Sequence, residues 1–417
     1  MWLALILTSA SKAQETAPVF KSLYSFGGGN DGADPETALL VGPGGVLYGT
    51  TFLGGVPRGG TAFSLTPPAS PGGSWTEAII QTFTGSNVFT PTSSLVKGKG
   101  GALYGVTLTG GNQDSDAGTV YALRPPAATG DSWTETAIYS FPFALFGPLG
   151  FNPWGTLLVG DGGVLYGVNT AGGLWAEGTV FSLTPPSSPG GAWTEETLYT
   201  FGPAGTGDGG LPNGGLIADG NGVLYGVTAN GGSANSGTVY SLTPPATPGG
   251  SWSETVVYSF PGGTHGAGNP FGALTAGPGP VYYGTATLVA TNQLGIVFSL
   301  KPPSTAGGSW TEQTIHAFVG GDGGGVPAGG LLRSPTTGVL YGAASGGSQG
   351  YGVLFALKPP ASPGAAWTET VLHSFDNTDG RYPNANPVVG PGGKLYGTTI
   401  GGGTAACMCG TVWSLAP

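Results

Sequence analysis

Aspartates that stand directly before a glycine are the residues whose type and spacing come nearest to a cation site in this chain. They occur at Asp31, Asp208, Asp322 and Asp379. In the densest segment, residues 376–380, Asp376 and Asp379 offer closely spaced oxygens of the kind that Ca²⁺ prefers. The segment lacks the complete calcium-loop pattern and a bidentate glutamate, which favours an aspartate turn before a glycine at positive φ. We therefore predict no cofactor, with calcium at Asp376 and Asp379 as the alternative.

The histidines and cysteines form no catalytic or metal-binding motif that the sequence alone identifies. His316 and His373 stand where comparable segments carry a tyrosine, so we interpret them as packing residues, and His265 has no evident partner. Cys407 and Cys409 lack the further ligands of a zinc site, which leaves a local disulfide or two free thiols. A nucleophile elbow between a strand and a helix and a phosphate-binding glycine loop are both missing from the sequence. Whether the chain is an enzyme is left open, and we expect that it is not.

The composition excludes several classes of function. Charged residues make up 8% of the chain, and with 11 lysines and arginines its formal net charge is −10. Nucleic-acid binding needs clustered cations that displace counterions, so no nucleic-acid partner is expected. After the N-terminus, no segment reaches the roughly 18 unbroken apolar residues of a membrane span. The 84 glycines and 36 prolines separate short apolar segments at regular places, which is typical of an ordered β-rich protein.

The elements that must position these residues form a repeat with a period of 55 to 62 residues. A proline precedes a Leu-Tyr-Gly type motif by 13 or 14 residues, a Gly-Thr-Val-Phe type segment follows, and six units continue through a tryptophan to a Tyr-Ser-Phe type end. The fixed spacing of the tryptophans indicates blade packing. The motif is centred on seven tyrosines: Tyr48, Tyr104, Tyr166, Tyr225, Tyr283, Tyr341 and Tyr396.

Each unit holds four short β-rich runs, and four strands make one blade of a β-propeller. We predict an all-β fold, a seven-bladed β-propeller with four strands per blade, as a single domain over residues 18–417. The seventh unit lacks its fourth run, and residues 19–26 match that run, so an N-terminal strand is predicted to complete the last blade. Such closure removes exposed sheet edges. The predicted blades are residues 35–83, 91–141, 153–201, 212–260, 270–318, 327–375 and 383–417 with 19–26.

The repeat also resembles a known family. Gly-Gly-Val-Leu-Tyr-Gly-Thr-Thr, Gly-Thr-Val-Phe-Ser-Leu, Leu-Tyr-Ser-Phe and Asp-Gly-x-x-Pro, at fixed offsets in seven copies, resemble the GloVer (Gloeobacter–Verrucomicrobia) tandem-repeat family of bacterial surface and secreted proteins. The resemblance covers nearly the whole chain. It implies propeller-type repeats and an extracellular location, and no particular activity. Members often end in a sorting segment, which residues 414–417 do not resemble, so free secretion or a truncated chain is expected.

The first residues carry a targeting pattern. Residues 1–13 combine an apolar run with small residues and a Ser-Lys-Ala stretch similar to a signal-peptide cleavage site. The positive residues that normally precede such a run are missing. We predict a signal peptide over residues 1–13 and an extracellular, secreted protein.

Loop lengths distinguish the two faces of the predicted propeller. The spacing from the terminal phenylalanine to the next proline varies from 8 to 12 residues, and that from the motif tyrosine to the next run's aromatic varies from 14 to 17, whereas the other connections are constant. Because each strand reverses direction, both variable connections emerge on one face, which we call the variable-loop face, and such loops usually carry binding groups. The candidates there are Phe52, Arg58, Trp175, Glu177, His265, Tyr351, Arg381 and Tyr382.

Three functions remain open at this stage. The favoured one is a non-enzymatic binding or scaffold module for an extracellular or cell-wall polysaccharide, with Trp175 and Tyr382 as stacking platforms for sugar rings. The first alternative is an extracellular polysaccharide hydrolase or lyase that uses carboxylates on the variable-loop face. The second is a purely structural surface protein. We expect a monomer whose partner is a polysaccharide or a surface protein, with no membrane span.

Overall fold

The computed structural model describes residues 17–417 except 57, 85–87, 112–115, 129–130, 189, 248, 264–266, 289–292, 306 and 363. The predicted signal peptide and His265 lie outside the described residues. In the part of the chain that is described, no helix is long and apolar enough to cross a membrane.

Seven antiparallel sheets form the predicted ring of seven blades. Blade 1 contains β2 (Leu40–Val41), β3 (Leu47–Thr51), β4 (Thr61–Thr66) and β5 (Thr76–Thr82). Blade 2 contains β6 (Phe89–Pro91) and β7 (Val96–Lys97), which both pair with β8 (Leu103–Thr109), then β9 (Thr119–Arg124) and β10 (Thr134–Ser140). Blade 3 contains β11 (Gly150–Val159), β12 (Leu165–Gly172), β13 (Thr179–Thr184) and β14 (Thr194–Thr200). Blade 4 contains β15 (Gly209–Ala218), β16 (Leu224–Gly231), β17 (Thr238–Thr243) and β18 (Ser253–Ser259).

The remaining blades follow the same order. Blade 5 contains β19 (Gly268–Ala276), β20 (Tyr282–Leu288), β21 (Gly295–Lys301) and β22 (Thr311–Phe318). Blade 6 contains β23 (Pro327–Arg333), β24 (Leu340–Ala344), β25 (Val353–Lys358) and β26 (Thr368–Ser374). Blade 7 contains β27 (Val388–Val389), β28 (Leu395–Thr399), β29 (Thr411–Ala416) and, as its outermost strand, β1 (Val19–Ser25).

The N-terminal strand closes the ring as the sequence predicts. Strand β1 runs antiparallel to β29, with Val19 opposite Ala416 and Ser25 opposite Thr411. The next residue, Phe26, is fully buried. Its ring meets that of Phe63 in blade 1 edge-on at 5.1 Å, so the same segment completes blade 7 and joins it to blade 1.

One aromatic contact repeats at every seam between blades. The phenylalanine that ends each outermost strand meets the aromatic residue of the third strand in the following blade, with ring centroids 5.0 to 6.4 Å apart. Edge-to-face geometry at this distance is favourable for aromatic pairs. The pairs are Phe26 with Phe63, Phe83 with Tyr121, Phe141 with Phe181, Phe201 with Tyr240, Phe260 with Phe298, Phe318 with Phe355 and Phe375 with Trp413.

The glycine of the Leu-Tyr-Gly motif makes room for the same ring. A Cβ atom added to Gly49 would lie 2.5 Å from Cζ of Phe63, and one added to Gly284 would lie 2.5 Å from Cζ of Phe298. Any larger side chain would therefore displace the buried ring. This close approach explains why every unit carries glycine there.

The repeated tryptophans pack between blades. Each contacts the motif tyrosine of the preceding blade, with ring centroids 5.7 to 6.3 Å apart. The structural role predicted for them is confirmed. The pairs are Trp75 with Tyr396, Trp133 with Tyr48, Trp193 with Tyr104, Trp252 with Tyr166, Trp310 with Tyr225 and Trp367 with Tyr283.

Candidate functional site

The variable-loop face surrounds the entrance to the centre of the ring. The first strands of neighbouring blades contact each other and so lie innermost. In blades 3 to 5 the repeated proline lies within the first strand, as at Pro153 and Pro212, near the end where the chain enters from the preceding blade. The variable loops and the beginnings of the inner strands therefore share one face.

A cavity of about 130 Å³ opens at this place and is lined by residues from all seven blades. Five of the lining residues directly follow a repeated proline, and we call these five the channel mouth. They combine one acid, one hydroxyl, one amide and two aromatic rings. The channel mouth consists of Glu36, Thr92, Trp154, Phe271 and Asn384.

The wall of the cavity is asymmetric. In blades 3 to 6 the inner strands carry glycines at positive φ, and a Cβ on Gly214 would lie 2.5 Å from the carbonyl carbon of Gly272, so neighbouring backbones touch. In the other blades side chains bridge the gap. Oδ1 of Asn386 accepts a hydrogen bond of 2.6 Å from the amide of Gly330, and Oγ of Ser94 accepts one of 3.0 Å from the amide of Ala38. The cavity therefore has one backbone-lined side and one side of hydrogen-bonded polar groups.

Two polar atoms at the inner strands have no partner among the described residues. Oγ1 of Thr92 and Oδ1 of Asn213 are both buried without a hydrogen bond. A buried polar atom left unpaired costs about 1 to 3 kcal/mol, so such atoms commonly mark places where water or a ligand completes the bonding. Beside them, burial and the nearby charge of Asp34 raise the pKa of the half-buried Glu36 carboxyl above its ordinary value.

The residue before the repeated proline adopts an unusual backbone conformation in six of the seven units, with φ between 49° and 58°. A residue before proline normally favours extended conformations. Each of the six donates its amide to a backbone carbonyl of the preceding blade at 2.7 to 2.9 Å, which compensates for the strain. The result is a fixed start for every inner strand. The six residues are Asp34, Thr90, Asn152, Leu211, Asn269 and Tyr382.

Several predicted binding residues meet where blades 6, 7 and 1 adjoin. Tyr382 donates its amide to the carbonyl of Tyr351 at 2.7 Å, and the guanidinium of Arg381 lies 5.5 Å from the centre of the Tyr382 ring. Phe52 donates its amide to the carbonyl of Asp34 at 2.9 Å. The charge of Arg381 partly opposes the effect of burial on the pKa of Asp34, so the two side chains lie near each other.

The other described candidates lie apart from this group. Arg58 is exposed in the loop between β3 and β4. Trp175 is 53% exposed in blade 3, and Phe146, 74% exposed, lies in the loop that leads into that blade. Backbone hydrogen bonds between Gly147 and Gly173 join these two loops into one apolar patch. In the same loop as Trp175, Glu177 has its pKa raised by burial and by Asp208.

The predicted calcium loop uses its carboxylates for its own hydrogen bonds. Oδ1 of Asp376 accepts from the amide and hydroxyl of Thr378 at 2.9 and 2.7 Å and from the amide of Asp379 at 3.1 Å. Oδ2 of Asp379 lies 2.8 Å from Nε2 of His373. Among the described residues no cluster of three or more His, Cys, Asp or Glu side chains is arranged for a metal ion. Calcium binding here stays a prediction.

Sequence reasoning missed the channel mouth, although one signal marks it. Within the repeat, the position after the proline carries a different residue in almost every unit, whereas the flanking positions repeat. Comparison between units emphasises what recurs, and this position was therefore passed over. The residues there are Glu36, Thr92, Trp154, Asn213, Phe271, Ala328 and Asn384.

Comparisons with known proteins agree with this architecture. The sequence pattern of the Gloeobacter/Verrucomicrobia repeat matches residues 69–298, more than half of the chain. No curated protein matches the chain significantly.

Solved structures share the fold at low sequence identity. The extracellular domain of a one-component system from B. thetaiotaomicron is 12% identical with a TM-score of 0.54, over 97% of this chain and 42% of that one. An α-L-arabinanase from Penicillium chrysogenum, solved with arabinobiose, is 16% identical with a TM-score of 0.44, over 77% and 91%. A sialidase from Trypanosoma rangeli is 12% identical with a TM-score of 0.42, over 84% and 57%. At these identities the likeness shows the fold alone.

Proposed function

The chain belongs to the Gloeobacter/Verrucomicrobia repeat family, and from this premise we propose that it is a secreted, non-enzymatic module that binds a polysaccharide segment at the channel mouth. The observation that carries the proposal is the position after the repeated proline. It is the most variable position of a regular repeat, and five of its seven residues line one cavity. Variation confined to a shared cavity is typical of a ligand site built on a rigid scaffold.

The chemistry of the channel mouth suits a sugar. Trp154 and Phe271 are half-buried, and neither ring has an aromatic partner within the described residues, unlike the repeated tryptophans. An aromatic face offers a flat apolar surface of the kind on which a sugar ring stacks. The unpaired oxygens of Thr92 and Asn213 provide acceptors for sugar hydroxyls. The site therefore combines stacking surfaces with neutral hydrogen-bonding groups.

The carboxylates favour binding over hydrolysis. Glycoside hydrolysis normally uses a pair of carboxyl groups on either side of the scissile bond. Among the described residues that line the cavity, Glu36 is the one carboxylate. Its raised pKa favours the neutral acid, which can donate a hydrogen bond to a sugar oxygen. These features support a binding role.

Secretion is part of the proposal. Residues 1–13 carry the signal-like pattern, and Cys407 and Cys409 are joined in a disulfide, which resolves the alternatives left open by the sequence. Disulfides persist mainly in oxidising compartments. Expression of the chain in a bacterial host, followed by N-terminal sequencing of the protein in the medium, tests this point. A mature protein that starts near residue 14 is expected, whereas uncleaved protein confined to the cytoplasm would refute secretion.

The binding claim is tested with a panel of soluble and insoluble polysaccharides in affinity electrophoresis and pull-down experiments. Trp154→Ala and Phe271→Ala are expected to weaken binding of any retained polysaccharide by about tenfold or more, the size of a lost stacking contact. Trp175→Ala in the outer patch is the matched control and should bind as the parent does. Failure of the whole panel to bind would refute the proposal. Loss of binding in the Trp175 variant alone would move the site to the outer patch.

A further inference from the structure

The guanidinium of Arg381 is an unpaired cation at the edge of the channel mouth. Its Nε atom is buried, and no described residue accepts a hydrogen bond from it. The ion pairs in the described part of the chain involve His316 and His373, and Arg381 takes part in neither. Its one recorded side-chain partner is the ring of Tyr382. A planar group of five donors is thus fixed in place with its bonding capacity unused.

The backbone is shaped to hold this side chain. Arg381 and Gly401 exchange two backbone hydrogen bonds, of 2.7 and 3.1 Å, and the arginine side chain lies across the glycine. A Cβ atom on Gly401 would come within 2.5 Å of Nε and 3.1 Å of Cγ of Arg381. The φ of Gly401 is compatible with other residues, so the absence of a side chain serves to seat the arginine.

The fold itself does not require a cation at this position. The corresponding residue, two before the repeated proline, is uncharged in the six other units: Ala33, Phe89, Phe151, Gly210, Gly268 and Gly325. Arginine occurs there once, beside the seam where the two ends of the chain meet. A single departure that is buried, unpaired and sterically seated points to a ligand group of opposite charge.

We propose that Arg381 binds the carboxylate of an acidic sugar, so that the polysaccharide recognised at the channel mouth contains uronic acid residues. This inference rests on the proposed function and names its ligand class. The planar guanidinium matches a carboxylate in bidentate geometry. The carboxylates of Asp34 and Glu36 nearby disfavour densely charged polyanions, because each further negative group of the ligand would face them. A single carboxylate among neutral hydroxyls fits this mixture of charges.

The test compares each acidic oligosaccharide with its own carboxyl-reduced form. Oligogalacturonate, oligoalginate and hyaluronan oligomers are titrated into the protein by calorimetry. At least one acidic oligomer is expected to bind about tenfold more tightly than its reduced form, and this advantage should shrink as salt rises. Arg381→Gln should abolish the advantage without changing the affinity for the reduced oligomer, and Arg381→Lys should restore it in part.

Two further variants keep the result interpretable. Gly401→Ala retains the charge but displaces the arginine, and it should lose the preference for acid as Arg381→Gln does. Gly220→Ala, where an added Cβ meets nothing within 4 Å, is the matched control and should behave as the parent. Binding of neutral and acidic forms with equal affinity would overturn this inference and leave the proposed function standing. Absence of binding by every oligomer and polysaccharide would overturn both.

Discussion

The hydroxyl of Tyr199 donates a hydrogen bond of 2.8 Å to Oδ2 of Asp208, and this bond ties the outermost strand of blade 3 to the loop that enters blade 4. The same oxygen accepts the amide of Gly202 at 2.6 Å. In blade 7 Tyr24 bonds Asp31 at 2.7 Å, and in blade 6 His373 contacts Asp379 at 2.8 Å. Three of the aspartates that suggested cation chemistry thus anchor loops to strands.

Removal of this hydroxyl is the first prediction. Tyr199→Phe should lower the free energy of unfolding by about 1 kcal/mol, because Asp208 loses one partner while its strand keeps its packing. Tyr139, which holds the equivalent place in blade 2 and has no aspartate bond, provides the control. Tyr139→Phe should change stability by less, as measured by urea denaturation. Equal effects of the two substitutions would contradict the anchoring role.

The glutamates of the outermost strands give the protein a pH dependence. Burial, followed by the charges of Asp31 and Asp208, raises the pKa of Glu77 and of Glu254 from 4.5 to about 7. Since the pKa is higher in the folded than in the unfolded state, folding favours the protonated acids. This contribution is complete below about pH 4.5 and is lost as the pH rises through 7.

A double variant, Glu77→Gln with Glu254→Gln, isolates this effect because its amides do not titrate. It should equal the parent in stability near pH 5 and exceed it near pH 8.5 by about 1 kcal/mol, a value reduced for solvent screening of these half-buried groups. Urea midpoints at the two pH values provide the measurement. The control is Glu196→Gln, an exposed acid on β14. A difference from the parent that does not change with pH would rule out the linkage.

Closure of the ring depends on Phe26. Phe26→Ala should destabilise the protein by about 3 to 5 kcal/mol, since a fully buried ring is removed from the contact with Phe63. Phe146→Ala, which changes a ring that is 74% exposed, should stay within about 0.5 kcal/mol of the parent. Thermal unfolding followed by circular dichroism compares them. Deletion of residues 17–26 should expose β29 and cause aggregation, and a monomeric deletion variant of unchanged stability would disprove closure.

The motif glycines provide a packing prediction. Gly342→Ala places a Cβ 2.5 Å from Cζ of Phe355, so the buried ring must move, and stability should fall by about 1 to 3 kcal/mol. Gly220→Ala, with open space around the added methyl group, is the control. Denaturant midpoints decide the matter. A Gly342 variant as stable as the control would show that the seam tolerates the methyl group.

The fold was predictable because its determinants recur along the chain. Seven copies of one pattern identify the blades, and the match between residues 19–26 and the other fourth runs identifies the closing strand. Local backbone geometry was less accessible. The alternation of Val256, Tyr258 and Phe260 suggests a regular strand, yet β18 contains a bulge at Val257, where its register with β17 shifts. Such a shift depends on the curvature of the blade and leaves little trace in one strand's sequence.

The candidate site was predicted in part. Loop lengths correctly identify the face at which the inner strands begin, and Arg381, Tyr382 and Tyr351 do lie together there. Trp175 attracted interest because no other unit repeats it, and it lies in the outer patch of blade 3. Trp154 lies within an inner strand, and its place in the cavity depends on how seven strands converge. Convergence of this kind is set by the ring as a whole and by no single segment.

The crystal structure of the protein with the tightest-binding oligosaccharide from the panel tests the central claim most directly. We predict a sugar ring stacked on Trp154 or Phe271 at the channel mouth, with hydroxyl groups bonded to Thr92 or Asn213. Sugar density confined to the patch around Trp175 and Phe146, or to the opposite face of the propeller, would contradict it.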